Sequence, residues 1–167
     1  MFCSFQLENL MPTSVEYAAA YLKGATDLRA AVSGMTREQL LARPVAGKWS
    51  TLEVVAHLAD FDPILVERMK RILALDNPPF LAADENLFAK ELHYQDRDVN
   101  EELAVIDATR TAMARIIGKL SPEQLQRTGI HSLKGPMVLE KIIQMGINHI
   151  DNHMPFIVDK KKALGIA

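Results

Sequence analysis

The chain has 167 residues, 49% of them hydrophobic and 24% charged, and its 19 basic and 21 acidic side chains leave a formal charge of −2. That length suits one domain that can bury a core without a disulfide or a structural metal. The near balance of charge lacks the basic excess that nucleic acid or an anionic membrane surface selects, so neither is an expected partner.

The opening "MFCSFQLENL" has neither the basic start nor the apolar run of a signal peptide, and no later stretch approaches the roughly 18 apolar residues of a membrane span. A cytoplasmic location is expected. The single cysteine, Cys3, excludes an intrachain disulfide and reads as a terminal bystander.

Helical periodicity begins in "TSVEYAAAYLKGATDLRAAVSG". Thr13 and Glu16 form a capping box, apolar residues recur at Val15, Ala18, Leu22, Ala25, Leu28 and Val32, and Gly34 ends the run. A second long helix starts at "WSTLE", capped by Ser50 and Glu53, and runs through "VVAHLADF" towards Met69 with a kink expected at Pro63. The segment "ALDNPPFLAADENLFAKELHYQDRD" is too long for a tight turn. It reads as a crossover and lid with a short helix from Glu85 to Leu92.

Helix three is expected near Asp98, with Glu101 in the capping position and Val99, Leu103, Ile106, Met113, Ile117 and Leu120 on one face. Helix four is expected to begin around Pro136, a favourable first-turn residue, with Val138, Ile142, Met145, His149, His153 and Phe156 along its stripe. No stretch combines a period of two with turn signals on both sides, so no sheet is expected. The fold class is therefore all-α, a four-helix bundle with a long crossover between helices two and three, as one domain over 1–167. Two pieces look alike, "MTREQLLARP" and "LSPEQLQRTG", each a capped short turn that leads to a long helix.

His149 and His153 stand four residues apart, which on a helix means about 40° in direction and about 6 Å along the axis. Both can address one ion. His57 lies on the apolar stripe of helix two with Val54, Phe61 and Ile64, and a bundle can set that stripe against helix four. Three imidazoles buried without partners cost desolvation energy, whereas a metal uses one lone pair from each.

Other residues carry weaker signals. Glu53 and Asp60 lie one turn either side of His57 and are candidates to accept its second ring proton, or else ordinary capping and solvated carboxylates. Arg110 interrupts the apolar stripe of helix three, either to bind an anionic substrate or to pair with an acid. Trp49 can wall the pocket. His131, in "GIHSLKG", and His93, in the crossover, are left out of the metal shell.

The chain also resembles a known family, the DinB-like or YfiT-like metal-binding four-helix proteins. The resemblance rests on "GKWSTLEVVAHLADF", "DENLFAKELHY", "RTGIHSLKGPMVLEKI" and "INHIDNHMPFI" and spans nearly the whole chain. In that family one histidine and an HxxxH pair some ninety residues later bind one divalent metal, which implies His57, His149 and His153 here. Many members carry glutamine where this chain has Phe156, and Pro155 before it removes the amide that would bond the carbonyl of Asp151.

The resemblance implies two sorts of enzyme: transferases that join a low-molecular-weight thiol to an electrophile, and metal-dependent hydrolases. Three histidines leave coordination positions open to a thiol or to water. Zinc is the first choice of metal, and imidazole also accepts nickel, iron or manganese. The expected partner is a small-molecule substrate. A homodimer is implied by the family and by exposed apolar residues around "NPPFLA". The reading from a different class is a metal-bearing binding or interaction module without turnover, since the sequence offers no obvious acid or base beside an open position.

Overall fold

In the computed structural model, which describes residues 12–166, the elements follow in the order α1 (Ser14–Val32), α2 (Arg37–Leu41), α3 (Thr51–Ala74), β1 (Pro79–Phe80), α4 (Glu85–Glu91), α5 (Val99–Ile117), α6 (Pro122–Leu125), β2 (Thr128–His131), β3 (Gly135–Val138) and α7 (Leu139–Ala163). Cys3 lies outside the described residues. Complete capping boxes open α1, α2, α3 and α6, at Thr13, Thr36, Ser50 and Ser121. Such caps are worth about 1 kcal/mol each. Asp98 caps α5 alone, bonding the amides of Asn100 and Glu101, so the expected pairing with a Glu101 side chain is not what starts that helix. The two look-alike segments do form matching short helices, α2 and α6.

The four long helices make the bundle. α1 and α3 each pack against α5 and α7, so the order around the bundle is α1, α5, α3, α7. The crossover between α3 and α5 carries β1, α4 and a 3-10 turn at Tyr94–Asp96. Within it α4 lies against α3, in the place expected of a lid. No described helix is long and apolar enough to cross a membrane.

Three local expectations change. The buried face of α1 consists of Tyr17, Tyr21, Gly24, Ala25, Leu28 and Val32, while Val15 and Leu22 are 67% and 40% exposed. The phenol rings of Tyr17 and Tyr21 outcompete the smaller aliphatic groups for the interior. Pro63 lies inside α3, as the sequence places it, and the helix runs on to Ala74. A small sheet exists, β1 parallel to β2 and β2 antiparallel to β3. Its strands are two to four residues long, too short for a period of two to register. Pro136 stands in β3 opposite Ile130, so α7 starts later, after Val138. The proline costs no ladder bond there because the Ile130 amide turns the other way, to the carbonyl of Pro78 at 2.9 Å.

The core falls into two apolar clusters. One gathers Tyr21, Met69, Met113 and Ile143 with their neighbours, the other Leu28, Leu58, Ile106 and Ile150. A charged layer lies between them. Arg110 of α5 and Asp62 of α3, both fully buried, pair through two hydrogen bonds of 2.5 and 2.9 Å. Arg110 also donates to the carbonyls of Tyr21 and Gly146 and lies over the Tyr21 ring, 4.5 Å from its centroid. Gly24 and Gly146 make room for this layer. A Cβ on Gly146 would stand 2.7 Å from the Tyr21 ring, and one on Gly24 would stand 3.0 Å from the Arg110 guanidinium.

Candidate metal centre

α3 carries His57 and α7 carries His149 and His153, and these helices pack side by side. Residues Thr51 to Ala59 are buried without a break, because α2, α4, α5, α7 and the Tyr94–Asp96 turn surround the first half of α3. His57 is thereby held with no exposed surface. Its Nε2 lies 2.9 Å from Nε2 of His149, and ligating atoms of His57, His149 and His153 all fall within 4.8 Å of one another. The i, i+4 pair and the facing stripe meet as the sequence leads one to expect.

The rings are kept neutral by their surroundings. Burial, then the nearby His153, lowers the His57 pKa to about 4. Burial, His57, His153 and Arg110 together lower that of His149 to about 3, and burial with Lys160 depresses His153. Neutral imidazoles with free lone pairs are the form a metal requires. The donor set fits a divalent ion: three nitrogens, no thiolate, and room for further ligands. Two nitrogens about 2.0–2.1 Å from one tetrahedral ion stand about 3.3 Å apart, so the His57–His149 pair would open by a few tenths of an ångström.

Aromatic rings enclose the triad. Trp49 is 5.2 Å and Phe61 is 4.5 Å from the His57 ring, centroid to centroid, and Phe88 of α4 meets Phe61 at 5.3 Å with the rings tilted by 57°. Trp49 thus walls the site. Phe156 is 42% exposed and sits 5.9 Å from the His153 ring, where it lines an adjoining cavity.

For three candidates the structure selects the second of the two roles the sequence offers. Glu53 takes the amide of Ser50 and both arms of Arg43. Asp60 takes Arg97 at 2.8 and 3.1 Å. Neither orients a ligand ring, and Nδ1 of all three histidines has no hydrogen-bond partner among the described residues. Arg110 is paired with Asp62 inside the core, where neither side chain is exposed. His131 is bound locally, its Nδ1 accepting from the amides of Leu133 and Lys134. The side chain of His93 is 81% exposed.

Sequence reading missed Glu85. From the head of α4 its Oε2 comes within 3.9 Å of Nε2 of His57, and its side chain is 56% exposed. No spacing rule relates residues 57 and 85; only the short helix Glu85–Glu91, placed across α3, could have hinted at it. Glu85 also borders two cavities, one of about 220 Å³ beside Trp49, His153 and Phe156, and one of about 330 Å³ beside Phe61 and His149.

Comparison with known proteins agrees with this geometry. The family pattern described as the DinB superfamily matches residues 20–157. A protein of Oceanobacillus iheyensis named "Putative metal-dependent hydrolase" is 28% identical over 130 residues, 78% of this chain and 75% of its own length. One of the same name from Geobacillus kaustophilus is 26% identical over 151 residues, 90% of this chain and 85% of its own. The solved structure of YfiT from Bacillus subtilis matches with a TM-score of 0.87 at 21% identity, over 98% of this chain and 95% of that one. It is described as "a probable metal-dependent hydrolase with an unusual four-helix bundle topology".

Proposed function

Because the chain belongs to the DinB superfamily, we propose that it holds one divalent metal ion through His57, His149 and His153 and joins a low-molecular-weight thiol to an electrophilic small molecule. The observation that carries this reading is the convergence of three neutral imidazoles, His57 buried and His149 and His153 half-buried, with one cavity beside His153 and another beside His149. A transfer between two molecules needs two places beside one activating centre, and a hydrolysis needs one.

A bound divalent ion, zinc by preference and nickel, iron or manganese as substitutes, supplies the Lewis acidity that lowers the pKa of an incoming thiol or water. The chain's own residues do the rest. His57, His149 and His153 fix the centre on two packed helices, and Trp49 and Phe61 keep bulk water from its buried side. Glu85 Oε2 takes the proton from the S–H group as sulfur bonds to the electrophilic carbon. The leaving group departs with the electron pair of the bond that breaks. General bases of this kind contribute about 10²- to 10⁴-fold.

Metal-assisted hydrolysis is the second reading. The names of the relatives support it, and Glu85 supplies a carboxylate base for the attacking water. Zinc-loaded protein assayed with a panel of thiols, electrophiles and esters separates the readings. Electrophile consumed only when thiol is present supports transfer; ester cleaved without thiol supports hydrolysis. Ligand binding with no turnover in any combination would leave a metal-bearing binding module. In the first two cases Glu85→Gln should lower the rate by about 10²-fold or more while leaving the metal content unchanged.

A further inference from the structure

The cavity of about 330 Å³ beside His149 has an unusual wall, made by Arg68, His131 and Lys134. Arg68 is 8% exposed. Its one hydrogen bond runs from Nη2 to the carbonyl of Leu81 at 2.5 Å, and no carboxylate lies within 4.0 Å of it among the described residues. Glu67, the acid whose charge acts on it, is taken by Arg71. A guanidinium carries five donors, and a buried cation normally finds an anion. Here most of that capacity is unused.

The surroundings aim this charge. Arg68 lies over the Phe80 ring, 5.3 Å from its centroid, and Phe80 meets His131 edge-on at 5.5 Å. Phe80 and His131 are paired residues of β1 and β2. Gly129 permits the stack, since a Cβ there would stand 2.6 Å from the Phe80 ring. Because Nδ1 of His131 accepts two backbone amides, its proton sits on Nε2 as a donor. The charges of Arg68 and Lys134 both act on His131. Glu85, the acid that borders this cavity, sits at the triad side of it.

We propose that the pocket formed by Arg68, His131 and Lys134 beside His149 binds an oxyanion group, a carboxylate or a phosphate, of a small molecule. That this molecule is a substrate of the reaction rests on the function proposed above; the binding of the anion does not. A planar guanidinium with an unused edge accepts either oxyanion through two parallel bonds, and Lys134 and the His131 N–H add to it.

Arg68 also borders a groove of about 640 Å³, which Arg71 lines and which shares Arg68, Ala82 and Ala83 with the first cavity; Arg71 does not line that first cavity. The variants can therefore tell the two places apart. The test is a titration of the full chain, once zinc-loaded and once stripped by chelation, followed by the NMR signals of the His131 ring. The probes are succinate, inorganic phosphate and the neutral succinamide. Succinate or phosphate, whichever fits the source of the anion, is expected to shift the His131 signals with and without zinc, and succinamide is not. Arg68→Gln and Lys134→Ala should each weaken binding about tenfold, and Arg71→Ala should leave it unchanged. Lys134 is exposed, so its variant is expected to fold even if that at Arg68 does not. Equal binding of succinamide, binding only with zinc present, or loss of binding in Arg71→Ala would each overturn the proposal. Failure of both oxyanions to bind would do so as well. A chain that binds the anion yet takes up no metal would refute the proposed function and leave this site standing.

Discussion

Each histidine of the triad is a neutral base held in a place that resists protonation, and this has a cost that depends on pH. The unfolded chain takes a proton at His57 below its ordinary pKa of 6.5, the folded chain only below about 4. Between these values unfolding takes up protons, so stability falls as the pH falls and levels off once the folded ring is protonated too. For His57 alone the full difference is about 3 kcal/mol. Chelated protein should therefore lose melting temperature steeply between pH about 6.5 and about 4, while His57→Phe should make that dependence shallower, with His149 and His153 still contributing. Thermal unfolding across this range checks it, and a pH-independent melting temperature in the chelated protein would contradict it. The triad itself was legible because helical spacing and apolar stripes place imidazoles on facing surfaces. Glu85 was not, since its approach to His57 depends on how the crossover folds back over α3. For the carboxylates adjacent on the helix, Glu53 and Asp60, the sequence left two roles open, and the partners that decide between them, Arg43 and Arg97, lie outside α3.

At the level of elements, the buried Arg110–Asp62 pair joins α5 to α3 and, through the Tyr21 and Gly146 carbonyls, to α1 and α7. Asp62→Ala would leave a guanidinium buried without its partner, which costs about 3–5 kcal/mol. The double variant Asp62→Ala, Arg110→Met should recover much of that loss, because no unpaired charge then remains at this layer. Denaturant unfolding of the parent, Asp62→Ala, Arg110→Met and the double variant measures both effects; a double variant as unstable as the sum of the two single ones would refute the pairing account. Pro155 poses the opposite case. It lies exposed within α7 and withholds one amide from the helix beside His153. Pro155→Ala should stabilise the protein by about 1–3 kcal/mol, with a rise of about 2–4 °C in melting temperature per kcal/mol. A fall in melting temperature would show that α7 needs the proline's shape. The long helices were readable from caps and periodicity, as at Thr13, Ser50 and Asp98. The short strands were not: Pro136 satisfies the rules for a helix start as well as those for an edge strand, and only its neighbour Ile130 decides between them.

Across the whole molecule, two apolar clusters bridged by one charged layer hold the four long helices. A fold with that much buried surface does not need an ion to form, unlike small zinc modules. Chelation should thus leave the helical circular dichroism largely intact and lower the melting temperature modestly, since an ion bound only by the folded state adds stability that leaves with it. Global unfolding on chelation would make the ion structural. We also propose a homodimer, for which exposed Leu81 near the crossover offers apolar surface, and sedimentation showing only an 18.6 kDa species would count against it. The most direct test of the account remains the metal itself. Elemental analysis of the purified protein and of His57→Ala, His149→Ala and His153→Ala should find about one divalent ion per chain in the parent and little in each variant. Unchanged metal content in all three variants, each still helical, would contradict the triad as the metal centre.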